Sequence, residues 1–166
     1  IEVSLQEVDE PSFTRLQNGK ADLLIDWIDP RPPWTVSTTV AIAFSHLVWP
    51  AAWGRKLART GGPRPEDFLG QPFVAYPRDW AQHGLQQAGL SRLGLTATRE
   101  LYAKSADSIL SFVQAGLGYS LVPWLDQRGP KLPQLCSWRV DEPDATFPIY
   151  AIHSQAAAQN PLIDAM

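Results

Sequence analysis

The chain has 166 residues, of which 45% are hydrophobic and 19% are charged, and its formal net charge is −3. This composition is typical of a globular protein and excludes intrinsic disorder. The acidic balance disfavours a broad phosphate-binding surface, and no apolar run approaches the roughly 20 residues that span a bilayer. Cys136 is the single cysteine, which excludes an internal disulfide and a cysteine-cluster metal site and suits a reducing compartment.

The first part of the chain predicts two strands around a short helix. Apolar and polar residues alternate over residues 1–8, which is typical of a half-buried strand. Pro11 and Ser12 predict the start of a short helix, which Gly19 ends. The apolar run over residues 21–28 predicts a second strand, and the prolines that follow, from Pro30 onward, break regular structure.

Residues 36–50 form a long extended pattern. Val36, Val40 and Ile42 share one face, and small or hydroxyl-bearing side chains dominate the other. About fourteen residues at roughly 3.3 Å each would span more than about 40 Å, over twice the typical strand length. A strand of this length can pass from one lobe of a protein into another. Two shorter strands joined by a bend near residues 45–46 are the alternative.

The rest of the chain alternates helices with strands. Ser105 predicts the cap of a helix that ends at Gly116, and a buried strand follows over residues 119–122 until Pro123 ends it. The other predicted elements are helices over residues 51–59 and 79–88, a turn over 66–69, strands over 72–76, 95–101, 135–140 and 147–153, and a last helix from Pro161. Alternation of this kind indicates an α/β fold with parallel sheets.

No pattern in the sequence indicates catalysis. His46, His83 and His153 lack partners at the spacing of metal ligands, and neither a GxSxG motif nor a P-loop is present. Gly116 and Gly118 follow a helix and precede a strand, the reverse of the order in a dinucleotide-binding fingerprint. We therefore expect no enzymatic activity, no metal and no cofactor.

Four segments resemble, in order and spacing, the effector-binding (substrate-binding) domain of LysR-type transcriptional regulators. Residues 16–25 (LQNGKADLLI) are similar to the family pattern LxxGxxDLxI, and residues 47–50 (LVWP) are similar to its strand that leads to a proline. Residues 67–74 (DFLGQPFV) are similar to DLxGxPFV, and residues 112–123 (FVQAGLGYSLVP) are similar to LVAAGLGIALLP. The resemblance covers most of the chain.

The resemblance implies two Rossmann-like α/β lobes of the type 2 periplasmic-binding-protein architecture, joined by two crossing strands. Lobe I would comprise residues 1–46 and 137–166, and lobe II residues 47–136. The pattern over 36–50 suits the first crossing strand, and residues 135–140 suit the return. The first strand and helix of the family's lobe I, most of its last helix and its winged helix-turn-helix have no counterpart in the sequence, so lobe I would be incomplete.

Ligands of open parallel sheets bind beyond the carboxyl ends of the strands, and this rule selects candidate residues in both lobes. Arg78 is the sharpest candidate, because it precedes a predicted helix whose free N–H groups favour an anion and its guanidinium can hold a carboxylate with two hydrogen bonds. Lys104 holds the matching position in the next strand-helix unit. The candidate effector-binding set is Asp9, Glu10, Asp26, Trp27, Ile28, Tyr76, Pro77, Arg78, Tyr102, Lys104, Ser105, Pro123 and Trp124.

The resemblance implies a sensor in which a small-molecule effector, with carboxylates as the candidate class, binds in a cleft between the lobes and changes their closure. The full-length protein would be a cytoplasmic homodimer or homotetramer that binds DNA through a winged helix-turn-helix and does not contact a membrane. We expect the subunit contacts at residues 51–59 or around Phe13 and Leu16.

Two other functions fit the same architecture. An extracytoplasmic solute-binding protein of a transporter would carry a secretory signal. An enzyme such as a dehydratase would need acid and base groups in the cleft, and the groups available for that role are Asp9, Glu10, Asp26 and Tyr76.

Overall fold

The computed structural model describes residues 4–6, 12–27, 31–54, 62–141 and 145–159. The α-helices and strands are, in chain order, α1 (Phe13–Gln17), β1 (Leu24–Asp26), β2 (Thr35–Pro50), β3 (Phe73–Ala75), α2 (Ala81–Arg92), β4 (Glu100–Tyr102), α3 (Ala106–Gln114), β5 (Ser120–Trp124), β6 (Leu135–Arg139) and β7 (Thr146–Ser154). Short 3₁₀ helices span Ala51–Trp53, Pro65–Phe68 and Gln155–Gln159. The mixed α/β class that the sequence predicts is confirmed.

The chain separates into two compact units. Unit 1 comprises Ile1–Ile42 with Pro148–Met166, and unit 2 comprises Ala43–Phe147. The division falls inside β2, so this strand belongs to both units. The lobe boundaries at 46/47 and 136/137 stay a prediction.

Unit 1 has a small core between α1 and the strands β1 and β7. The hydroxyl oxygen of Ser12 accepts a hydrogen bond from the N–H of Thr14 at 3.3 Å and caps α1, which begins at Phe13. Strand β1 pairs with β7 antiparallel, with Leu24 opposite Ile152. These two residues are buried together with Leu16 of α1.

Two predicted strands of unit 1 are corrected. Residues 4–6 carry no strand, and Leu5 is 87% exposed instead of facing a core. The strand predicted over residues 21–28 is reduced to Leu24–Asp26. An alternating pattern becomes a strand only where the main chain finds a neighbour, and among the described residues β7 supplies one for these three positions alone. The rest of the segment 1–8 lies outside the described residues.

Strand β2 is one continuous strand of 16 residues, so the alternative of two strands with a bend is wrong. Its two halves differ in burial. In the first half Val36, Val40 and Ile42 are 37%, 52% and 52% exposed. The last six residues, 45–50, are all buried, because β5 and β6 flank them and apolar clusters cover both faces.

Unit 2 mixes parallel and antiparallel pairing. Strand β2 pairs antiparallel with β5, where Val48 lies opposite Ser120, and with β6 on its other side. Strands β3 and β4 are parallel, and a parallel bridge between Phe73 and Tyr119 joins β3 to β5. The expectation of parallel sheets therefore holds for β3 and β4 but is wrong for the pairs of β2, because chain alternation does not encode the direction of a long strand shared by two units.

Helix α3 forms as the sequence predicts. The hydroxyl oxygen of Ser105 accepts a hydrogen bond from the N–H of Ser108 at 3.2 Å, and Ile109, Leu110 and Val113 are its buried residues. The helix ends before Gly116, which has a φ of +83°, and the N–H of Leu117 donates to the carbonyl of Phe112 at 3.0 Å. This pairing closes the helix in the manner of a Schellman stop.

Other boundaries of unit 2 move. Helix α2 begins and ends later than residues 79–88, and the strand predicted over 95–101 is reduced to Glu100–Tyr102. Pro123 does not end β5 but lies within it, opposite Ser45. Proline is tolerated there because the N–H and carbonyl of Ser45 bond to Ala145 and Val140 instead. The predicted helix over 51–59 is a 3₁₀ helix over Ala51–Trp53. Residues 55–59 and the helix predicted from Pro161 lie outside the described residues.

Candidate functional site

The candidate residues fall into a group in each unit. In unit 2, Tyr76, Pro77 and Arg78 follow the carboxyl end of β3 and precede α2. The side chain of Tyr76 is buried and stacks on Trp80 with ring centroids 6.3 Å apart. Burial, followed by the charge of Asp107, raises the pKa of the Tyr76 hydroxyl to about 12, so this group stays protonated throughout the physiological range.

Arg78 is held by a carboxylate of the chain itself. Its Nε and Nη2 donate to Oε2 of Glu100 at 3.1 and 2.9 Å, and the guanidinium lies over the ring of Tyr102, 5.7 Å from the centroid. These hydrogen bonds raise the pKa of Arg78, and 73% of its side chain is exposed. The charge that the sequence assigns to an anionic effector is thus compensated by Glu100.

The carboxylate of Glu100 contacts hydrogen-bonding side chains from three segments of the chain. In addition to Arg78, its carboxylate accepts hydrogen bonds from the hydroxyl of Tyr102 at 2.6 Å and from Nε2 of Gln87 at 2.7 Å. Nε2 of His83 lies 3.2 Å from Oε1. Burial alone would raise the pKa of Glu100, but the bonds from Tyr102, Arg78 and His83 lower it. The sequence does not single out Glu100 or Gln87, because their pairing depends on how α2 packs against β4.

The remaining candidates of unit 2 differ in accessibility. Tyr102 is 43% exposed. Lys104 lies between β4 and α3, and the hydroxyl of Ser105 is occupied by its bonds to Ser108. Pro123 and Trp124 close β5, with Trp124 packed against the cluster of Val48 and Val122.

In unit 1, Asp26 ends β1 and Trp27 follows it. Oδ1 of Asp26 accepts a hydrogen bond from the N–H of Trp27 at 2.6 Å. Burial raises the pKa of the Asp26 carboxyl, and the bond from Trp27 only partly opposes this rise. The other candidates of this group, Asp9, Glu10 and Ile28, lie outside the described residues.

Arg31 is a further residue of this group that the sequence prediction omits. Its guanidinium lies 4.1 Å from the ring centroid of Tyr150 and donates to the hydroxyl of Ser37. Tyr150 is the residue opposite Asp26 across the pair of β1 and β7. Within the described ranges no carboxylate pairs with Arg31. Arg31 follows β1 in the chain, so the rule that ligands bind beyond the carboxyl ends of strands could have selected it. The neighbouring prolines, however, indicate only a break in regular structure.

The described residues contain no group of three or more histidine, cysteine or acidic side chains that could hold a metal ion. His46 and His153 are both buried, and Nδ1 of His153 lies 2.9 Å from the carbonyl oxygen of Ser154. No helix found there has both the length and the apolar character to cross a membrane.

The fold is that of LysR-family regulators. Residues of this chain align with the crystal structure of CbnR, a LysR family transcriptional regulator, at a TM-score of 0.68 and 18% identity, covering 91% of this chain and 52% of CbnR. HinK, a LysR family regulator from Pseudomonas aeruginosa, gives 0.72 and 16%, covering 92% and 53%. The effector-binding domain of BenM with its effector benzoate gives 0.65 and 22%, covering 86% and 64%.

The chain spans about half the length of CbnR and HinK. No curated protein matches its sequence. The family model described as the LysR substrate binding domain matches residues 1–166, the whole chain. The chain belongs to the LysR substrate-binding domain family.

Proposed function

We propose that this domain senses a small carboxylate for a LysR-type transcriptional regulator and that Arg31 is the main cation of its effector site. The family match supports the sensing role. The observation that carries the effector class is the guanidinium of Arg31, which is ordered by Tyr150 and Ser37 at the carboxyl end of β1 and pairs with no carboxylate in the described part of the chain. A guanidinium in this state can bind a carboxylate through two hydrogen bonds.

Arg78 is the second cation of the proposal, with a smaller contribution. A ligand carboxylate that approaches Arg78 must share it with Glu100. Because Arg78 is largely exposed, solvent also screens its charge. The proposed effector residues remain those selected from the sequence, with Arg31 added.

The proposed regulator binds DNA through a winged helix-turn-helix outside these 166 residues and assembles as a homodimer or homotetramer in the cytoplasm. CbnR has been crystallised with its target DNA, and this chain resembles about half of that protein. The effector would act by binding one arrangement of the regulator better than another, with a coupling of about 1–3 kcal/mol.

A regulator is favoured over the two alternatives. The family match supports it over a solute-binding protein of a transporter. The enzyme alternative requires an acid and a base from among Asp9, Glu10, Asp26 and Tyr76. A pKa of about 12 makes Tyr76 a poor base near neutral pH, and we propose that the chain is not an enzyme.

A thermal-shift screen of matched acids and amides tests the proposed function. Each carboxylate, beginning with benzoate, is compared with its uncharged amide at equal concentration. A carboxylate that binds should raise the melting temperature by mass action, and its amide should not. Equal shifts for acids and amides, or shifts for neither across the panel, would contradict the proposed effector class.

A further inference from the structure

The side chain of Gln86 joins helix α2 to the main chain of β5 and to the main chain just after β3. Gln86 lies on α2 and is 4% exposed. Its Oε1 accepts a hydrogen bond from the N–H of Tyr76 at 2.9 Å, and its Nε2 donates to the carbonyl of Leu121 at 2.9 Å. Nε2 also lies 3.4 Å from the hydroxyl oxygen of Ser120. Both ends of a buried amide are therefore paired with groups that are fixed in or next to the sheet.

The bond to Tyr76 lies where the sheet stops holding the chain. Ala75 is the last residue of β3, and its carbonyl accepts from the N–H of Ala103 at 2.9 Å. The next N–H, that of Tyr76, bonds to Gln86 instead of to a strand. Ser120 adds a second link, because its hydroxyl donates to the carbonyl of Val74 at 2.7 Å. A side chain of α2 therefore fixes the direction of the main chain where it leaves β3.

Helix α2 also holds the other end of the segment from Tyr76 to Arg78, at Arg78. Gln86 and Gln87 follow His83 by three and four residues, so both are neighbours of His83 on the surface of α2. His83 and Gln87 contact the carboxylate of Glu100, which in turn holds Arg78. The segment from Tyr76 to Arg78 is thus fixed at its start through the main chain and at its end through an ion pair.

We propose that Gln86 is the positioning residue of the segment Tyr76–Pro77–Arg78: its amide substitutes for a strand partner and fixes where these effector-site residues lie. The importance of this role for binding rests on the proposed function, since it assumes that the segment contacts the effector. The positioning itself rests on the geometry of Gln86 alone.

Hydrogen exchange of the Tyr76 amide tests the positioning directly. Gln86→Met keeps the length of the side chain but can neither accept nor donate. Because an unpaired buried group is costly, the Tyr76 amide should exchange roughly 5- to 150-fold faster. The amide of Ile109 in α3, which donates to the carbonyl of Ser105, is the internal reference and should change much less. Gln87→Met is the matched control, since Gln87 bonds to Glu100 and should leave the Tyr76 amide unchanged.

Gln86→Glu provides a readout that loss of packing would not produce. The ionised carboxylate cannot donate to the carbonyl of Leu121 and is repelled by its oxygen, so it is held less firmly against the N–H of Tyr76. Once protonated, the acid can both accept from Tyr76 and donate to Leu121. Protection of the Tyr76 amide, corrected for intrinsic exchange, should therefore increase as the pH falls in Gln86→Glu but not in Gln86→Met. This second variant also serves if Gln86→Met fails to fold.

An unchanged Tyr76 amide in Gln86→Met, or equal acceleration at Tyr76 and Ile109, would overturn the proposal, as would a Gln86→Glu profile without recovery at low pH. Titration with benzoate separates this inference from the proposed function. If benzoate and the other acids of the screen fail to bind the unmodified chain while the exchange results hold, the proposed function fails and the role of Gln86 stands. If an acid binds while exchange is unaffected, the role of Gln86 fails alone.

Discussion

Gly118 is a residue whose substitution by alanine should destabilise this fold through a steric clash. It has no positive φ, so alanine would fit its backbone conformation. A Cβ at this position, however, would press into the carbonyl oxygen of Pro72 and lie 3.0 Å from the carbonyl carbon and 3.3 Å from Cγ2 of Val74. The contacted atoms are mostly main chain, so no side-chain rotation can relieve the clash.

The clash lies beside the hydrogen bonds that join β5 to β3. The N–H of Tyr119 donates to the carbonyl of Pro72 at 3.0 Å, and the N–H of Val74 donates to the carbonyl of Tyr119 at 2.8 Å. Overpacking costs about 1–3 kcal/mol, and each weakened hydrogen bond adds about 1 kcal/mol. Gly118→Ala should therefore lower the free energy of unfolding by about 3–5 kcal/mol. For a chain of this size that corresponds to roughly 6–20 °C in Tm.

Urea unfolding followed by tryptophan fluorescence and circular dichroism measures this loss. Gly116→Ala is the matched control two residues away, where the φ is +83° and no atom lies within 4 Å of the added Cβ. Only backbone strain acts there, at a cost of about 1–2 kcal/mol. Equal losses for the two variants, or a Gly118→Ala variant as stable as the unmodified chain, would refute the steric argument.

Two further predictions concern charge. Burial, then Arg139, lowers the pKa of His46 in the folded chain. As the pH falls, the unfolded chain therefore binds the proton before the folded chain does. The free energy of unfolding should be unaffected by His46 above about pH 6.5 and should decrease as the pH falls through and below that value. In thermal melts His46→Leu should flatten this pH dependence, and an unchanged slope would contradict the assignment to His46. Arg78→Ala should weaken carboxylate binding by less than about tenfold, whereas Glu100→Gln should strengthen it about two- to fivefold by freeing Arg78. Calorimetric titration measures both changes, and weaker binding in Glu100→Gln would show that Arg78 does not act on the ligand.

The features that the sequence predicts correctly depend on near neighbours. The cap at Ser105, the stop at Gly116 and the apolar stripe of α3 involve residues a few positions apart, so the local pattern determines them. The continuous β2 strand also follows from its own alternation. The failures depend on distant partners. Leu5 has the pattern of a strand residue, but no described strand pairs with its segment.

The effector-site residues stay a prediction, but the structure shows which of their contacts the sequence could not reveal. The rule of strand ends selects Asp26 and Tyr76 because it needs only the order of elements along the chain. It cannot reveal that Glu100 neutralises Arg78, because that contact joins residues 22 positions apart across β3, β4 and α2. Gln86 is likewise invisible in the sequence, since a lone glutamine in a helix is typically solvent-exposed and only the packing of α2 buries it.

The central claim, that this domain binds a carboxylate through Arg31, is tested most directly by calorimetric titration of the best acid from the screen into the unmodified chain and into Arg31→Gln. Arg128→Gln is the control, because Arg128 is an exposed arginine that pairs with Asp126. A charged hydrogen-bonded contact predicts a roughly 10- to 150-fold increase in Kd for Arg31→Gln and no change for the control. An Arg31→Gln variant with the Kd of the unmodified chain would contradict the account.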